Sequence, residues 1–383
     1  MTLTTAAVPS HPDAPPYRRD RHRALIVTGS YGAGHDAAAD EIRIRMLEAG
    51  WDVDVIDVAD LYPLGLGHML RRAYFRQLHL APGTWGALLR ALDVRSGEPS
   101  RAGRRACRLS GRLPARRVVA AMRPGTGLAV ATHPFACQAL GFLRERGLLR
   151  VPAVTYLTDA SVHPLWVHRS VDLHVALHEE AARQTRLLGV DHVQVVEPLT
   201  PQVGEAHGNE RTMLRSALGL PSTATIALIS SGSVGVGDVH AAACDVRDTG
   251  RATPVVLCGR NRGLRRDVEH EPGVIGLGWL DGLTDVIRGA DCLIQNSGGF
   301  TSLQALALGT PLISYRPLPG HGEANAEALR TEGLAPWPRT AHDLGSVLDD
   351  AITGTDVPVT GHWAERRSLL DALALEAPLL ATR

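Results

Sequence analysis

From Ala24 onward, the chain alternates short apolar runs, rich in β-branched residues, with stretches that have helical spacing. This alternation is typical of parallel sheets whose strands are connected by covering helices. The pattern occurs twice, so we expect an α/β protein with two Rossmann-like, doubly wound domains that face a cleft. The predicted strands cover residues 24–28, 52–58, 128–133, 153–158, 173–177, 192–196, 225–230, 254–259, 274–278, 292–296 and 311–315.

The length of 383 residues also favours two domains, because one hydrophobic core rarely organises so long a chain. Residues 1–22 lack apolar periodicity and are predicted to be a disordered lead. We expect an N-terminal domain over 23–200 and a C-terminal domain over 201–361, with the Pro- and Gly-containing stretch 198–220 as linker. A last helix, within 362–383, is expected to pack back onto the first domain.

The bulk composition excludes several classes of protein. The formal net charge is zero, which argues against a nucleic-acid partner recruited by overall charge. No apolar run reaches the roughly 20 residues that span a bilayer, and the N-terminus lacks a hydrophobic signal, so we expect a cytoplasmic protein. The cysteines are scattered singly, without metal-ligand spacing, and we expect no metal site and no cofactor. They are Cys107, Cys137, Cys244, Cys258 and Cys292.

A basic segment interrupts the alternation between Leu61 and Val118. It contains twelve arginines and only two acidic residues, with aromatic and leucine side chains between them. One interpretation is a helical insertion with a solvated basic face. The other is a surface that docks on anionic lipid headgroups, since each Arg near such a surface contributes about 1 kcal/mol. In the second case the protein is peripheral on the inner face of the membrane.

The first predicted strand leads into a glycine-rich loop, with Gly32 and Gly34, and then into a helix. This arrangement suits a negatively charged ligand, because a helix N-terminus favours negative charge. A Walker A ending is absent, which argues against a nucleoside triphosphatase. A dinucleotide site is an alternative, since Asp57 ends the second strand where an acid could reach a ribose hydroxyl.

Three side chains near predicted strand ends are candidates for acid–base chemistry. His35 follows the glycine loop and could take a proton from an acceptor hydroxyl, and His133 and Asp159 are expected to face the same crevice. We assign catalytic roles to His35 and Asp159. The structural alternative is that each residue only caps a helix or forms a turn.

Two segments of the second half predict an anion site. The loop with Ser231 and Gly232 joins a strand to a helix, and residues 297–301 form a second such turn. The amides and hydroxyls of this second turn could hold a diphosphate without a metal. Its residues are Ser297, Gly298, Gly299, Phe300 and Thr301.

The order of these motifs resembles the monogalactosyldiacylglycerol synthase family and its processive diacylglycerol glucosyltransferase relatives. These are similar in turn to the lipid II transferase of peptidoglycan synthesis, and all have the GT-B fold. The resemblance covers about residues 24–334. It is strongest in 278–280, 297–301, 305–311 and 319–326, and extends to 156–159.

The resemblance implies an inverting, metal-independent transfer from a UDP-sugar in the C-terminal domain to a lipid or small hydrophobic acceptor on the N-terminal domain. It implies that His35 is the base and that residues 297–301 hold the diphosphate. The backbone around Trp279 and Leu280 would read the nucleobase. Glu323 and Asn325 would line the donor sugar, a hexose or N-acetylhexosamine.

Two departures from the family pattern concern the donor site. Gln304 stands where the family usually has a Glu that holds the ribose hydroxyls, so the charge-assisted part of that hydrogen bond is lost. His321 and Gly322 stand where relatives usually have Gln and Glu, which bears on the identity of the sugar.

Three other functions remain open from the sequence. A sugar-nucleotide epimerase of the same fold would turn over donor without acceptor. A nucleotide-binding protein with lost catalysis would consume no donor. A dehydrogenase would use the first glycine loop but leaves residues 297–325 unexplained.

Overall fold

The computed structural model describes residues 22–80, 101–199, 208–232, 235–280, 282–354 and 366–373. Nearly all of the predicted disordered lead therefore lies outside the described residues, as does the central part of the basic segment. Within the described ranges, all eleven predicted strands are present, which confirms the alternation of strands and helices.

The first domain contains a six-stranded parallel sheet with strand order β2-β1-β3-β4-β5-β6. The inner strands are apolar and buried along most of their length, because helices cover both faces of a parallel sheet. The strands are β1 (Arg23–Thr28), β2 (Asp52–Asp57), β3 (Thr126–Ala131), β4 (Ala153–Tyr156), β5 (Leu173–Ala176) and β6 (Val193–Val195). The helices are α1 (Ala33–Glu48), α2 (Val58–Leu61), α3 (Leu66–Leu80), α4 (Arg101–Ala121), α5 (Pro134–Glu145) and α6 (Glu179–Leu187).

The second domain contains a five-stranded parallel sheet with strand order β11-β10-β7-β8-β9. Its strands are β7 (Ile226–Ser230), β8 (Thr253–Gly259), β9 (Ile275–Gly278), β10 (Cys292–Gln295) and β11 (Leu312–Ser314). Its helices are α7 (Glu210–Ala217), α8 (Val239–Asp248), α9 (Arg262–Glu269), α10 (Leu283–Gly289), α11 (Phe300–Ala307), α12 (His321–Thr331) and α13 (Ala341–Thr353).

The predicted linker is partly helical, which corrects the expectation for residues 198–220. Helix α7 lies inside this stretch and packs against α10 of the second domain. Its Leu214 belongs to the core cluster of that domain, so burial of one apolar face stabilises the helix despite the flanking Pro and Gly residues. At the other end of the chain, Leu369 and Ala372 are buried in the core of the first domain.

The two domains share one hydrophobic cluster. Helix α11 of the second domain packs against α1 of the first, and its Phe300 and Leu303 are buried with Ala38 and Ile42 of α1. Burying a side chain of this size contributes about 1.5–3 kcal/mol. This contact holds the two sheets with the ends of their strands directed at each other.

A buried ion pair anchors the start of β10, the strand that leads to the predicted diphosphate turn. Arg215 donates to Asp291 Oδ2 at 2.6 Å and to the carbonyl oxygens of Ala224 and Gly289, and both charged side chains are 4% exposed. Arg211 also pairs with Asp291, but its side chain is 64% exposed. Removing one member of a buried pair strands the other charge in a poorly solvated site.

We expect Arg215→Met to lower the free energy of unfolding by about 3 kcal/mol, because Asp291 loses its buried partner. The matched control is Arg211→Met, which removes an exposed partner of the same carboxylate and should cost about 1 kcal/mol or less. Urea denaturation of both variants measures the difference, and equal losses would contradict the assignment.

Candidate functional site

The carboxyl ends of both sheets meet at one cavity. In an open parallel sheet, ligands bind where the strand order reverses, beyond the carboxyl ends of the two central strands. In the first sheet this point lies between β1 and β3, and in the second between β7 and β10. A cavity of about 500 Å³ lies between the two points, and residues from both domains line it.

Most of the candidate residues line this cavity. The first glycine loop, the loop after β7 and the N-terminus of α11 all contribute. The candidates that line it are Gly32, Gly34, His35, Asp159, Ser231, Gly232, Trp279, Leu280, Ser297, Gly299, Phe300, Thr301 and Gln304.

His35 lies in the first turn of α1, and two atoms of the neighbouring strand ends orient its ring. Its Nδ1 lies 2.9 Å from the carbonyl oxygen of Thr132 and 2.9 Å from Oγ1 of Thr158. Because a carbonyl oxygen only accepts, Nδ1 carries the proton and Nε2 keeps its lone pair. The ring is therefore oriented by Nδ1, and Nε2 retains a lone pair that can accept a proton.

The environment of His35 favours the neutral imidazole. Burial lowers the pKa of His35 below its ordinary value, and the negative charge of Asp159 opposes this effect only in part. A base with a lowered pKa stays unprotonated at neutral pH and can accept a proton. This geometry goes beyond the structural alternative of a helix-start residue satisfied by the backbone.

His133 has the structural role that the sequence left open for it. Its Nδ1 accepts from the backbone N–H of Phe135 at 3.2 Å and so caps α5, while its ring stacks on Tyr31. The ring also fills the space beside Gly29, where an added Cβ would lie 2.5 Å from it. Gly29 is therefore needed so that the imidazole of His133 can lie close to the backbone of the loop, apart from any role that the loop has in binding a ligand.

Asp159 accepts from Trp166 Nε1 at 2.7 Å and lies 3.6 Å from Nε2 of His321, a residue of the second domain. Burial alone would raise the pKa of Asp159, but the charge and hydrogen bond of His321, together with the imidazoles of His35 and His163, lower it. The carboxylate is therefore ionised, and it acts on His35 through its charge.

The N-terminus of α11 offers unused backbone donors to the cavity. The helix begins at Phe300 after the N-cap Gly299, and no described side chain caps it. The amides of a first helical turn lack intrahelical partners and bind anions. Gly298 was predicted to hold the diphosphate together with its neighbours, but it is absent from the cavity lining. Its N–H donates to Gln295 Oε1 instead. Its left-handed backbone and the adjacent Asn325 side chain require glycine there.

A flat surface lies at the far end of the cavity. The guanidinium of Arg260 stacks over the Trp279 ring, 4.4 Å from its centroid, and this ring is 48% exposed. Leu280 and Leu283 lie beside it in the cavity lining. Gln304, on the second turn of α11, is buried and also lines the cavity.

Two candidates for the sugar site, Glu323 and Asn325, lie outside the cavity lining and make other contacts. Glu323 is exposed, and its carboxylate accepts from the N–H of Gly320 to cap its own helix. Asn325 is fully buried and bridges the domains: Oδ1 accepts from N–H and Oγ of Ser161 at 2.8 and 2.6 Å, and Nδ2 donates to the carbonyl of Ser297. Neither lines the cavity.

Sequence reasoning missed several residues that form the site. Thr158 received no role from the sequence but orients His35, whereas His321, which the sequence related to the donor sugar, lines the cavity where Glu323 and Asn325 do not. Tyr74 and Phe75 reach the cavity from α3, which belongs to the basic segment. The sequence showed them only as aromatic side chains between the arginines of that segment, and the fold brings them to the cavity.

The sequence model of the monogalactosyldiacylglycerol (MGDG) synthase family matches residues 35–197. A processive diacylglycerol beta-glucosyltransferase of Bacillus cereus (strain AH187) is 27% identical over 322 residues, which cover 82% of this chain and 81% of the relative. The corresponding enzyme of Bacillus thuringiensis (strain Al Hakam) is 28% identical over 323 residues, with the same coverage of both chains.

Solved structures with the same fold include glycosyltransferases with bound nucleotides. Anabaena HepE in complex with UDP-glucose superimposes with a TM-score of 0.56 at 13% identity, over 94% of this chain and 100% of HepE. SsfS6 of Streptomyces sp. SF2575, complexed with thymidine diphosphate, gives 0.54 at 14% identity, over 94% and 100%. These findings agree with the resemblance seen in the sequence: the chain is similar to the MGDG synthase family and to the diacylglycerol glucosyltransferases, and it has the GT-B fold.

Proposed function

We propose that this enzyme transfers a hexose or N-acetylhexosamine from a UDP-sugar to a diacylglycerol-type lipid, with inversion at the anomeric carbon and without a metal at the diphosphate. One observation carries the proposal. The points at which the strand order reverses in the two sheets meet at one cavity, with an oriented His35 on one side and the N-terminus of α11 on the other. The relatives named as diacylglycerol glucosyltransferases and the neighbour with UDP-glucose support the acceptor and donor classes.

The reaction uses these two sides of the cavity together. Nε2 of His35 takes the proton from the acceptor hydroxyl as its oxygen forms the bond to the anomeric carbon. The bond between that carbon and the diphosphate oxygen breaks on the opposite face, and UDP leaves with the electron pair. The amides at the start of α11, with the Ser297 and Thr301 hydroxyls, stabilise the developing negative charge in place of a metal.

Other functions explain the site less well. A dehydrogenase needs Asp57 for a ribose hydroxyl, but this carboxylate caps α2 through the Ala59 N–H and lies 3.6 Å from Arg71. A binding protein without catalysis has no use for a base whose ring is held at Nδ1. An epimerase of this fold remains the second candidate, and donor turnover in the absence of lipid separates it from the transferase.

We expect His35→Ala to reduce kcat by roughly 100-fold or more and to leave the Kd for UDP nearly unchanged, because a general base acts in the transition state. Steady-state rates and calorimetry measure the two quantities. His240→Ala, an exposed histidine of α8, is the control. Unchanged turnover in His35→Ala would remove the residue from the catalytic role.

The pH profile gives a second test of His35. The base works in its neutral form, and its pKa in the protein lies below the ordinary value. We therefore expect kcat/KM to stay level as the pH is lowered through about 6.5 and to fall only below that. A rate that already declines between pH 8 and pH 7 would contradict a buried neutral base.

The donor assignment predicts selective binding of UDP in the presence of EDTA. Calorimetric titration should give UDP an affinity at least roughly 10-fold above guanosine and adenosine diphosphates and a nicotinamide dinucleotide, a difference of about 1.4 kcal/mol. Thymidine diphosphate is the sharpest competitor, since a neighbour of the same fold binds it. Preference for the dinucleotide, or no binding at all, would contradict the donor site.

The acceptor side suggests how a lipid reaches the cavity. Tyr74 and Phe75 of α3 line the cavity, whereas Met69, Arg72 and Arg76 of the same helix are exposed. A helix with basic and apolar side chains on its outer face suits the surface of an anionic membrane. Among the helices that the structure describes, none combines the length and the hydropathy that crossing a bilayer requires. We propose that α3 docks peripherally on the inner face of the membrane.

This docking predicts salt-sensitive binding to vesicles that contain phosphatidylglycerol. Arg72→Gln/Arg76→Gln should weaken sedimentation with the vesicles at 0.05 M salt, because each cation contributes about 1 kcal/mol. Arg262→Gln/Arg266→Gln removes two exposed arginines with the same spacing on α9 and is the matched control. Equal binding by the two double variants, or binding insensitive to salt, would argue against α3 as the docking surface.

A further inference from the structure

Three potential metal ligands from the two domains converge beside the cavity. Asp159 and His163 lie in the loop after β4 of the first domain, and His321 begins α12 of the second. One ligand atom from each lies within 4.8 Å of the other two. Two imidazoles and one carboxylate are a common ligand set for zinc.

The spacing of the three atoms is close to what a zinc ion needs. With Zn–N and Zn–O distances of about 2.0–2.2 Å, tetrahedral ligand atoms lie about 3.3–3.6 Å apart. Asp159 Oδ1 and His321 Nε2 are already 3.6 Å apart. The remaining distances among the three ligand atoms are all below 4.8 Å, so the set is close to coordination geometry.

His163 has a buried nitrogen for which the protein provides no partner. Its Nδ1 is inaccessible to solvent and makes no hydrogen bond with any described residue. A buried polar atom without a partner costs about 1–3 kcal/mol, so such atoms call for an explanation such as an ion that is bound there.

The surrounding side chains hold the carboxylate and leave its second oxygen available. Trp166 Nε1 donates to Asp159 Oδ2 at 2.7 Å, so Oδ1 is directed towards His321. Such outer hydrogen bonds orient ligands in metal sites. Asn325 Nδ2 lies 3.2 Å from His321 Nε2, and when an ion binds it keeps its stronger hydrogen bond to the Ser297 carbonyl.

From this arrangement we propose that Asp159, His163 and His321 bind one divalent transition-metal ion, with zinc as the best fit, which ties the two domains together across the cleft. Its fourth coordination position is left for water or for an oxygen atom of a ligand in the cavity. None of the three residues is among those proposed to hold the diphosphate. The proposal is therefore independent of how the leaving group is stabilised.

The test uses the full chain and zinc itself. After removal of metal by chelation, equilibrium dialysis against Zn²⁺ should give one tight site per chain, and Co²⁺ should give the visible absorption of a tetrahedral site. His321→Gln and His163→Gln should each weaken this site by more than the roughly 10–100-fold that loss of an outer hydrogen bond costs. Zinc should also raise the Tm of the wild type and not that of His321→Gln.

A second described cluster supplies the matched control. His240, Cys244 and Glu271 also place three ligand atoms within 4.8 Å of one another. The two ring nitrogens of His240 face different residues. Nε2 lies 3.0 Å from Glu271 and Nδ1 faces Cys244, so neither nitrogen is directed at both partners. His240→Gln should therefore retain the tight zinc site.

Three results would overturn the proposal: no tight site in the wild type, equal affinity in wild type and His321→Gln, or loss of the site only in His240→Gln. His321 is partly exposed at the cavity, so its replacement by Gln tests the site even where His163→Gln impairs folding. Circular dichroism of each variant distinguishes a lost ligand from a lost fold.

Discussion

The packing of α11 against α1 is the contact on which the site depends. Parallel sheets direct the carboxyl ends of their strands to one edge, but two such edges form a single cavity only when the domains are held face to face. Phe300 and Leu303 provide this by joining the core of the first domain. The N-terminus of α11 therefore lines the same cavity as His35 of α1, and each domain completes the cavity of the other.

Charges in the cavity are balanced between groups rather than isolated. Asp159 is ionised because His321 and the neighbouring imidazoles offset its burial, whereas His35 is neutral because burial outweighs the charge of Asp159. One carboxylate thus raises the pKa of His321 on the second domain and opposes the lowering of the pKa of His35 on the first. Such divergent environments are typical of acid–base sites, where the task of each group is set by its surroundings.

Much of the fold could be predicted from the sequence, because buried parallel strands are continuous apolar runs whose bounds are visible without an alignment. His35, Ser231 and the turn at residues 297–301 follow from the same logic, since they come directly after predicted strands. The predictions failed where tertiary contacts decide. Glu323 caps its own helix and Asn325 bridges the domains, and both depend on how α12 approaches the first domain.

Asp159, His163 and His321 are a further case that spacing could not reveal. The histidines are far apart in the chain, and no local motif relates them. Helix α7 was missed for a different reason: its flanking Pro and Gly residues favour a linker, and the burial of Leu214 is visible only in the folded domain.

The position of Phe300 has a consequence for any movement of one domain against the other. The same residue begins helix α11 beside the cavity and is buried in the core of the first domain. Separating the domains would expose an aromatic ring and a leucine to water, at about 1.5–3 kcal/mol for each. The hydrophobic contact therefore resists opening of the cleft, and the width of the cavity is coupled to the packing of a domain core.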